Sequence, residues 1–316
     1  GTMRSLKNII SVGITTKWYA LFAVLVLAYL LVWLNRNFGP NKRSRFEGFA
    51  NGQTKKFVTK TGDAVYDDFY TEIYDELFFQ PNKLDYEVAS IIKEADLAPN
   101  HTNMLDIGSG RGHFVDQMRD RGFTATGVDK SGAMIGSSKH LYPNSDYKQG
   151  DAMNQMLFPA ENFTIITCLT FTVYYIQDKR RFFENCYHWL SPGGCLVLHL
   201  VDRNKFDPIA PAGKPYFLIS PQSVTDERIT KTTVKFETFQ YKSEFDLKTD
   251  DDGVLVETFT DDVSGKIRQN VHNYSMQSHK QVLKIAKEIG FIMSGEVDLV
   301  KCMNEYQYLY ILKKPN

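Results

Sequence analysis

Met104-Leu105-Asp106-Ile107-Gly108-Ser109-Gly110-Arg111-Gly112 decides the reading of this chain. A short apolar run meets an acidic residue and then three glycines at alternate positions, and the stretch from His113 onward reads as a helix. Glycine at such a turn lets the backbone approach a ligand closely, and the N–H groups that open the next helix favour an anion. The spacing is not that of the dinucleotide fingerprint, whose third glycine falls three positions after its second. Alone, the run marks a nucleotide-type site and no more.

Outward from it, apolar runs alternate with amphipathic stretches, the pattern of a parallel sheet covered by helices. Strands are expected at 103–107, 124–128, 163–169 and 195–200, and helices at 115–121 and 179–190. From about 229 to 275 apolar and polar residues alternate, with turn signals at Asp251-Asp252-Gly253 and Ser264-Gly265, so this part reads as an antiparallel insertion. A helix over 278–289, closed by Gly290, and a strand over 307–312 complete the pattern.

Asp106-x-Gly108-x-Gly110-x-Gly112 resembles the glycine-rich first motif of class I (Rossmann-like) S-adenosylmethionine-dependent methyltransferases. Three further segments resemble that family in the right order. Gly127-Val128-Asp129 ends the next strand, where a carboxylate can accept both hydroxyls of a ribose. Gly150-Asp151-Ala152 resembles the turn that reads adenine, the carboxylate taking the exocyclic amine and Ala152 N–H a ring nitrogen. Leu190-Ser191-Pro192-Gly193-Gly194 resembles the family's turn before its fifth strand. The resemblance implies a doubly wound, seven-stranded α/β sheet with an antiparallel β cap. It also implies S-adenosyl-L-methionine as cofactor, held by Asp106, Gly108, Ser109, Gly110, Gly112, Asp129, Lys130, Met134, Asp151, Ala152 and Leu169.

Upstream, Tyr74-Asp75-Glu76-Leu77-Phe78 and Asp85-Tyr86 resemble the leader helix of small-molecule methyltransferases, including sugar and glycine-type N-methyltransferases, which also carry an antiparallel insertion after the fifth strand. In such relatives a leader tyrosine closes over the methionine end of the cofactor. Tyr66, Tyr70, Tyr74 and Tyr86 are the candidates, although an aromatic stripe also packs a helix onto a sheet.

The chemistry asks for little more than alignment, because a sulfonium is already a strong electrophile; a neutral amine acceptor needs no base and a hydroxyl does. Substrate is expected outside the carboxyl ends of the strands, near Tyr70, Phe171 and Tyr174. His199 and Asp202 are the base candidates, with Tyr74 as a second catalytic candidate. The turn 168–175 lacks the Asn-Pro-Pro-aromatic run of enzymes that methylate DNA bases or glutamine amides. Phe236, Phe239, Tyr241 and Phe245 of the insertion are candidate pocket residues or simply its buried face. The four cysteines show no metal-ligand spacing, so no metal site is expected and the thiols read as buried and reduced.

Charge is uneven. Residues 1–60 hold ten basic residues against one acidic residue, leaving 27 basic and 36 acidic in the remainder. An acidic globular part is a poor partner for a phosphate backbone, so nucleic acid is not expected. Residues 18–34, WYALFAVLVLAYLLVWL, form an apolar run flanked by aromatics and read as one transmembrane helix, a cleaved signal peptide or a buried core helix being the alternatives. The domain organisation expected is a tail over 1–17, the span over 18–34, a basic juxtamembrane linker over 35–62, and a core with its leader helix over 63–205. A substrate cap over 206–275 and a final helix and strands over 276–316 follow. The excess of Lys and Arg after the span places the catalytic domain in the cytosol. The expected function is a membrane-anchored methyltransferase acting on N or O of a small-molecule or lipid-like acceptor; the rival is a catalytically silent, tethered binding module of the same fold.

Overall fold

Strands covered on both faces read as near-continuous apolar runs, and residues 195–201 are the clearest case in this chain. In the computed structural model, which describes residues 19, 21–30, 53–214, 225 and 227–316, the chain divides into two units, Gly1–Arg45 and Phe46–Asn316. The second unit opens with β1 (Phe57–Thr61), α1 (Asp68–Phe78), α2 (Pro81–Glu94), β2 (Asn103–Ile107), α3 (His113–Asp120) and β3 (Thr124–Asp129). It continues through α4 (Gly132–Leu141), β4 (Asp146–Gln149), β5 (Phe163–Cys168), α5 (Lys179–Trp189) and β6 (Leu190–Val201). β7 (Lys231–Lys235), β8 (Phe239–Leu247), β9 (Asp252–Asp261), β10 (Ile267–Ser275), α6 (His279–Ile289), β11 (Ile292–Asp298) and β12 (Gln307–Lys313) complete it.

Seven strands form the main sheet in the order β4-β3-β2-β5-β6-β12-β11. Only β12 runs against its neighbours. The expected doubly wound sheet is therefore present. Its order reverses between β2 and β5, and such a switch point opens a crevice at the carboxyl ends of the strands. Leu196, Val197, Leu198, Leu200 and Val201 of β6 are fully buried, each contributing roughly 1.5–3 kcal/mol of burial. Local signals set the helix ends: Asp67 accepts from Tyr70 N at the start of α1, Ser131 accepts from Met134 N at the start of α4, and Ser278 with Gln281 forms a capping box on α6.

A second sheet, in the order β1-β10-β9-β8-β7, stands beside the first. The antiparallel insertion is β7 to β10, as its alternation requires. Residues 57–61, assigned to a linker by sequence, are instead strand β1, paired in parallel with β10. Five residues flanked by Lys55 and Lys56 are too short a run to stand out, and only the exposed edge of β10 gives them a partner. Ser191-Pro192-Gly193-Gly194, expected as a turn, lies within β6, with a register break against β5 between Phe163 and Ile165.

In the first unit, Tyr19 and residues 21–30 are helical, and their large apolar side chains are exposed, Tyr19 at 73% and Phe22 at 67%. Among the described residues no helix is long and apolar enough to cross a membrane. Residues 18, 20 and 31–34 of the expected span, the tail 1–17 and residues 35–52 of the expected linker lie outside the described residues.

Candidate active site

The glycine-rich turn is built from backbone. Gly108 and Ser109 N–H groups both donate to Val128 O, at 2.8 and 3.1 Å, tying the end of β2 to β3. Gly108 has φ +72, and a Cβ there would collide with Thr172 Cγ2, so the turn after β5 sits directly upon it. Gly110 has φ +53 and nothing within 4 Å of an added Cβ, which leaves open space on its ligand side. Asp129 joins the two strand ends: Oδ2 accepts from Gly110 N at 2.9 Å and Oδ1 from Ser131 N at 2.8 Å. Each oxygen keeps a lone pair for a ligand hydroxyl. Burial raises the Asp129 carboxyl above its ordinary value, although the backbone donors work to lower it.

These groups open onto a cavity of about 810 Å³ that reaches from the glycine-rich turn to the second sheet. Of the residues expected to hold the cofactor, Asp106, Gly108, Ser109, Gly110, Asp129, Lys130, Met134, Asp151, Ala152 and Leu169 all line it. Gly112 does not. It lies behind the turn against Tyr147, whose hydroxyl donates to Gly112 O at 3.0 Å, so bulk excluded by packing keeps it a glycine. Asp106 is buried and accepts from Thr167 Oγ1 at 2.7 Å; burial, countered by that bond, pushes its carboxyl up to about 7. Lys130 Nζ bridges Asp63 at 2.7 Å and Asp151 at 3.4 Å across the mouth. The buried Ser109 Oγ has no partner among the described residues. An unpartnered hydroxyl, free carboxylate lone pairs and the open face of Gly110 together fit a polar nucleoside ligand.

The leader helix divides its tyrosines. Tyr66, ahead of α1, and Tyr74, within it, line the cavity. Tyr70, expected to touch substrate, is instead 1% exposed and turned into the second sheet, where its hydroxyl bonds Glu257. Tyr86 lies by Asp298, its hydroxyl 3.4 Å from that carbonyl. Asp75 Oδ2 meets Arg111 Nη1 at 2.7 Å and His113 Nε2 at 2.9 Å, pinning the leader helix to the start of α3.

Phe171 lines the cavity as expected, but Tyr174 is fully buried, its hydroxyl accepting from Val201 N at 2.9 Å. His199 is also corrected. It is 1% exposed, its Nδ1 accepts from Phe171 N at 3.3 Å, and its Nε2 pairs with Gln307 Oε1 at 3.0 Å. Burial and the nearby Lys83 drive its imidazole down to about 3. With both nitrogens engaged and the ring neutral, it shapes the turn carrying Thr170 and Phe171, which hold φ +39 and +56, rather than acting as a base. Asp202 is absent from the cavity wall; its Oδ1 accepts from Asn204 N at 3.1 Å. Of the four insertion aromatics, only Phe245 reaches the cavity; Phe236, Phe239 and Tyr241 pack against α1.

Sequence reading missed a buried polar chain that runs from Tyr66 and Tyr175 into the second sheet. Tyr66 Oη donates to Tyr175 Oη at 2.7 Å, and Tyr175 Oη lies 2.7 Å from His272 Nδ1. His272 Nε2 is 2.7 Å from Glu257 Oε2, and Tyr241 Oη donates to Glu257 Oε1 at 2.8 Å. Burial opposes ionisation of Glu257, but its interactions with His272, Tyr70 and Tyr241 outweigh it and hold the carboxyl below its ordinary value. The signal was present: alternation on β9 places Glu257 on the buried face with Leu255 and Phe259, and on β10 places His272 with Tyr274. A buried charge of that kind requires partners.

A family model describing a methyltransferase domain matches residues 105–198. A curated ubiquinone biosynthesis O-methyltransferase of Coxiella burnetii is 30% identical over 106 residues, 32% of this chain and 44% of that protein, so the chain spans less than half the length of that relative. The dTDP-4-amino-2,3,4,6-tetradeoxy-D-glucose N,N-dimethyltransferase of Saccharopolyspora spinosa is 26% identical over 188 residues, 55% of this chain and 74% of that one. In fold, an S-adenosylmethionine-dependent methyltransferase from Clostridium acetobutylicum superposes with a TM-score of 0.59 at 16% identity, covering 78% of this chain and 98% of the other. Residues 105–198 thus match a methyltransferase domain, and the fold around them is that of S-adenosylmethionine-dependent methyltransferases.

Proposed function

We propose that the chain transfers the methyl group of S-adenosylmethionine to an oxygen or nitrogen of a small-molecule or lipid-like acceptor. One observation carries this: a single cavity joins the glycine-rich turn and Asp129 to an aromatic wall made by Tyr66 ahead of α1, Tyr175 of the turn after β5 and Tyr274 of the second sheet, so cofactor and acceptor share one space. The two curated relatives, an O-methyltransferase and a sugar N,N-dimethyltransferase, support the acceptor class.

When bound, the cofactor supplies an electrophilic methyl group. Asp129 offers its lone pairs to the ribose, and Asp151 with Ala152 borders the space for the base. Tyr66 and Tyr74 from the leader segment, with Phe171 and Tyr175 from the turn after β5, exclude water and restrict the acceptor's approach. Phe206, Phe245 and Leu255 supply an apolar flank suited to an acceptor with a hydrophobic portion.

The tether belongs to the same proposal: residues 18–34 hold the enzyme at a membrane, the catalytic domain facing the cytosol. Its support is the apolar run itself, the exposed apolar side chains of residues 21–30 and the basic residues that follow. The test is calorimetry of the detergent-solubilised chain with S-adenosylmethionine and S-adenosylhomocysteine, followed by a radiolabelled methyl-transfer screen of amines, alcohols and phenols. Absence of cofactor binding overturns the reading, and binding without transfer to any class favours the silent module.

A further inference from the structure

Building on the methyltransferase reading, we propose that the acceptor is a hydroxyl compound, and that Tyr175 with His272 forms a proton relay that deprotonates it, positioned by Glu257. Tyr175, His272 and Tyr274 all line the cavity that holds the glycine-rich turn, so the relay opens into the reaction space.

The hydrogen bonds fix a direction. An ionised Glu257 only accepts, so His272 Nε2, 2.7 Å away, carries the ring proton. That leaves Nδ1 as an acceptor, and Tyr175, 2.7 Å from it, donates its hydroxyl proton there. Tyr175 oxygen in turn accepts from Tyr66 at 2.7 Å. The groups facing His272 are Glu257 from β9, Tyr274 on its own strand, Tyr175 from the turn after β5, Tyr66 ahead of α1 and Tyr70 from α1. Only Glu257 among them is charged, so an imidazolium at His272 is balanced by one carboxylate.

The step balances. As the acceptor oxygen bonds the methyl carbon, the carbon–sulfur electron pair stays on sulfur and neutralises the sulfonium. The acceptor's hydroxyl proton goes to Tyr175 oxygen while the proton of Tyr175 moves to His272 Nδ1. The resulting imidazolium is held by Glu257 until it loses its proton to solvent. An amine acceptor attacks as the free base and has no use for such a relay during attack. A buried Glu-His pair with a tyrosine at its open end is costly to assemble for packing alone.

The test uses 4-nitrophenol, whose ionised form has its own absorbance band, with the full chain in detergent saturated with S-adenosylhomocysteine. At a pH where free 4-nitrophenol is mostly neutral, the bound probe should show the phenolate band. His272→Gln and Tyr175→Phe should each lower the ionised fraction at least about tenfold, one pKa unit being tenfold, while calorimetric binding of S-adenosylhomocysteine is unchanged. Glu257→Gln should reduce it less and shift its pH midpoint, as a positioning residue would. A neutral spectrum in the native chain, an unchanged phenolate band in His272→Gln, or no binding of millimolar 4-nitrophenol overturns the relay. Loss of S-adenosylhomocysteine binding in the native chain instead overturns the underlying methyltransferase reading, so the two failures are told apart.

Discussion

Asp129 carries the N–H of Gly110 on one carboxylate oxygen, at 2.9 Å, and that bond joins those of Gly108 and Ser109 to Val128 O in setting the end of β3 against the glycine-rich turn. The same side chain therefore shapes the turn and faces the cavity beside it, so a substitution there acts twice.

Asp129→Ala should weaken S-adenosylhomocysteine binding by more than tenfold in calorimetry, since charge-assisted hydrogen bonds contribute about 1.5–3 kcal/mol each. The melting temperature should also fall, because the N–H groups of Gly110 and Ser131 lose their acceptor. Unchanged affinity would remove Asp129 from the site.

Gly110→Val should abolish binding while circular dichroism stays native. A Cβ added at Gly110 has no neighbour within 4 Å, so the side chain projects into the cavity, at a backbone strain of about 1–3 kcal/mol for φ +53. Retained affinity would show that the ligand approaches elsewhere.

Asp106 should make the cofactor-free protein less stable as pH rises. Its folded value, about 7, exceeds its ordinary 3.8, so its contribution is fully present below the lower value and lost as pH climbs through the higher one. The span corresponds to roughly 4 kcal/mol at most. Asp106→Asn should flatten that loss in denaturant titrations between about pH 4 and 7; an unaltered slope would contradict it.

His199 has the opposite sign. Its folded value of about 3 lies below the ordinary 6.5, so its contribution is present above 6.5 and lost as pH falls towards 3. His199→Leu should cost about 1–3 kcal/mol by leaving Phe171 N–H and Gln307 unpartnered, yet keep cofactor binding. Methyl transfer by this variant should retain its acid limb, and loss of that limb would restore His199 as the base.

The full chain should stay with membranes through alkaline carbonate extraction, and a chain beginning at Gln53 should be released, because apolar burial of residues 18–34 far outweighs surface charge. Release of the full chain would remove the tether.

The sheet and the cofactor side were legible in the sequence because each rests on short-range pattern. Asp106, Gly108 and Gly110 follow the apolar end of β2, Asp129 and Asp151 stand in short Gly-x-Asp and Gly-Asp-Ala segments, and the capping signals of α6 at Ser278, Gln281 and Gly290 are local as well. Strand β1, and the pairing of the buried Glu257 with His272 and Tyr175, were decided by tertiary structure. Phe57 to Thr61 becomes a strand only because β10, more than 200 residues later, offers an unpaired edge. His199 and His272 are alike as isolated letters at strand positions. Packing against Gln307 and Phe171 makes the first a neutral structural group, while Glu257 and Tyr175 turn the second towards the cavity, since proton affinity depends on what folding brings within hydrogen-bond reach.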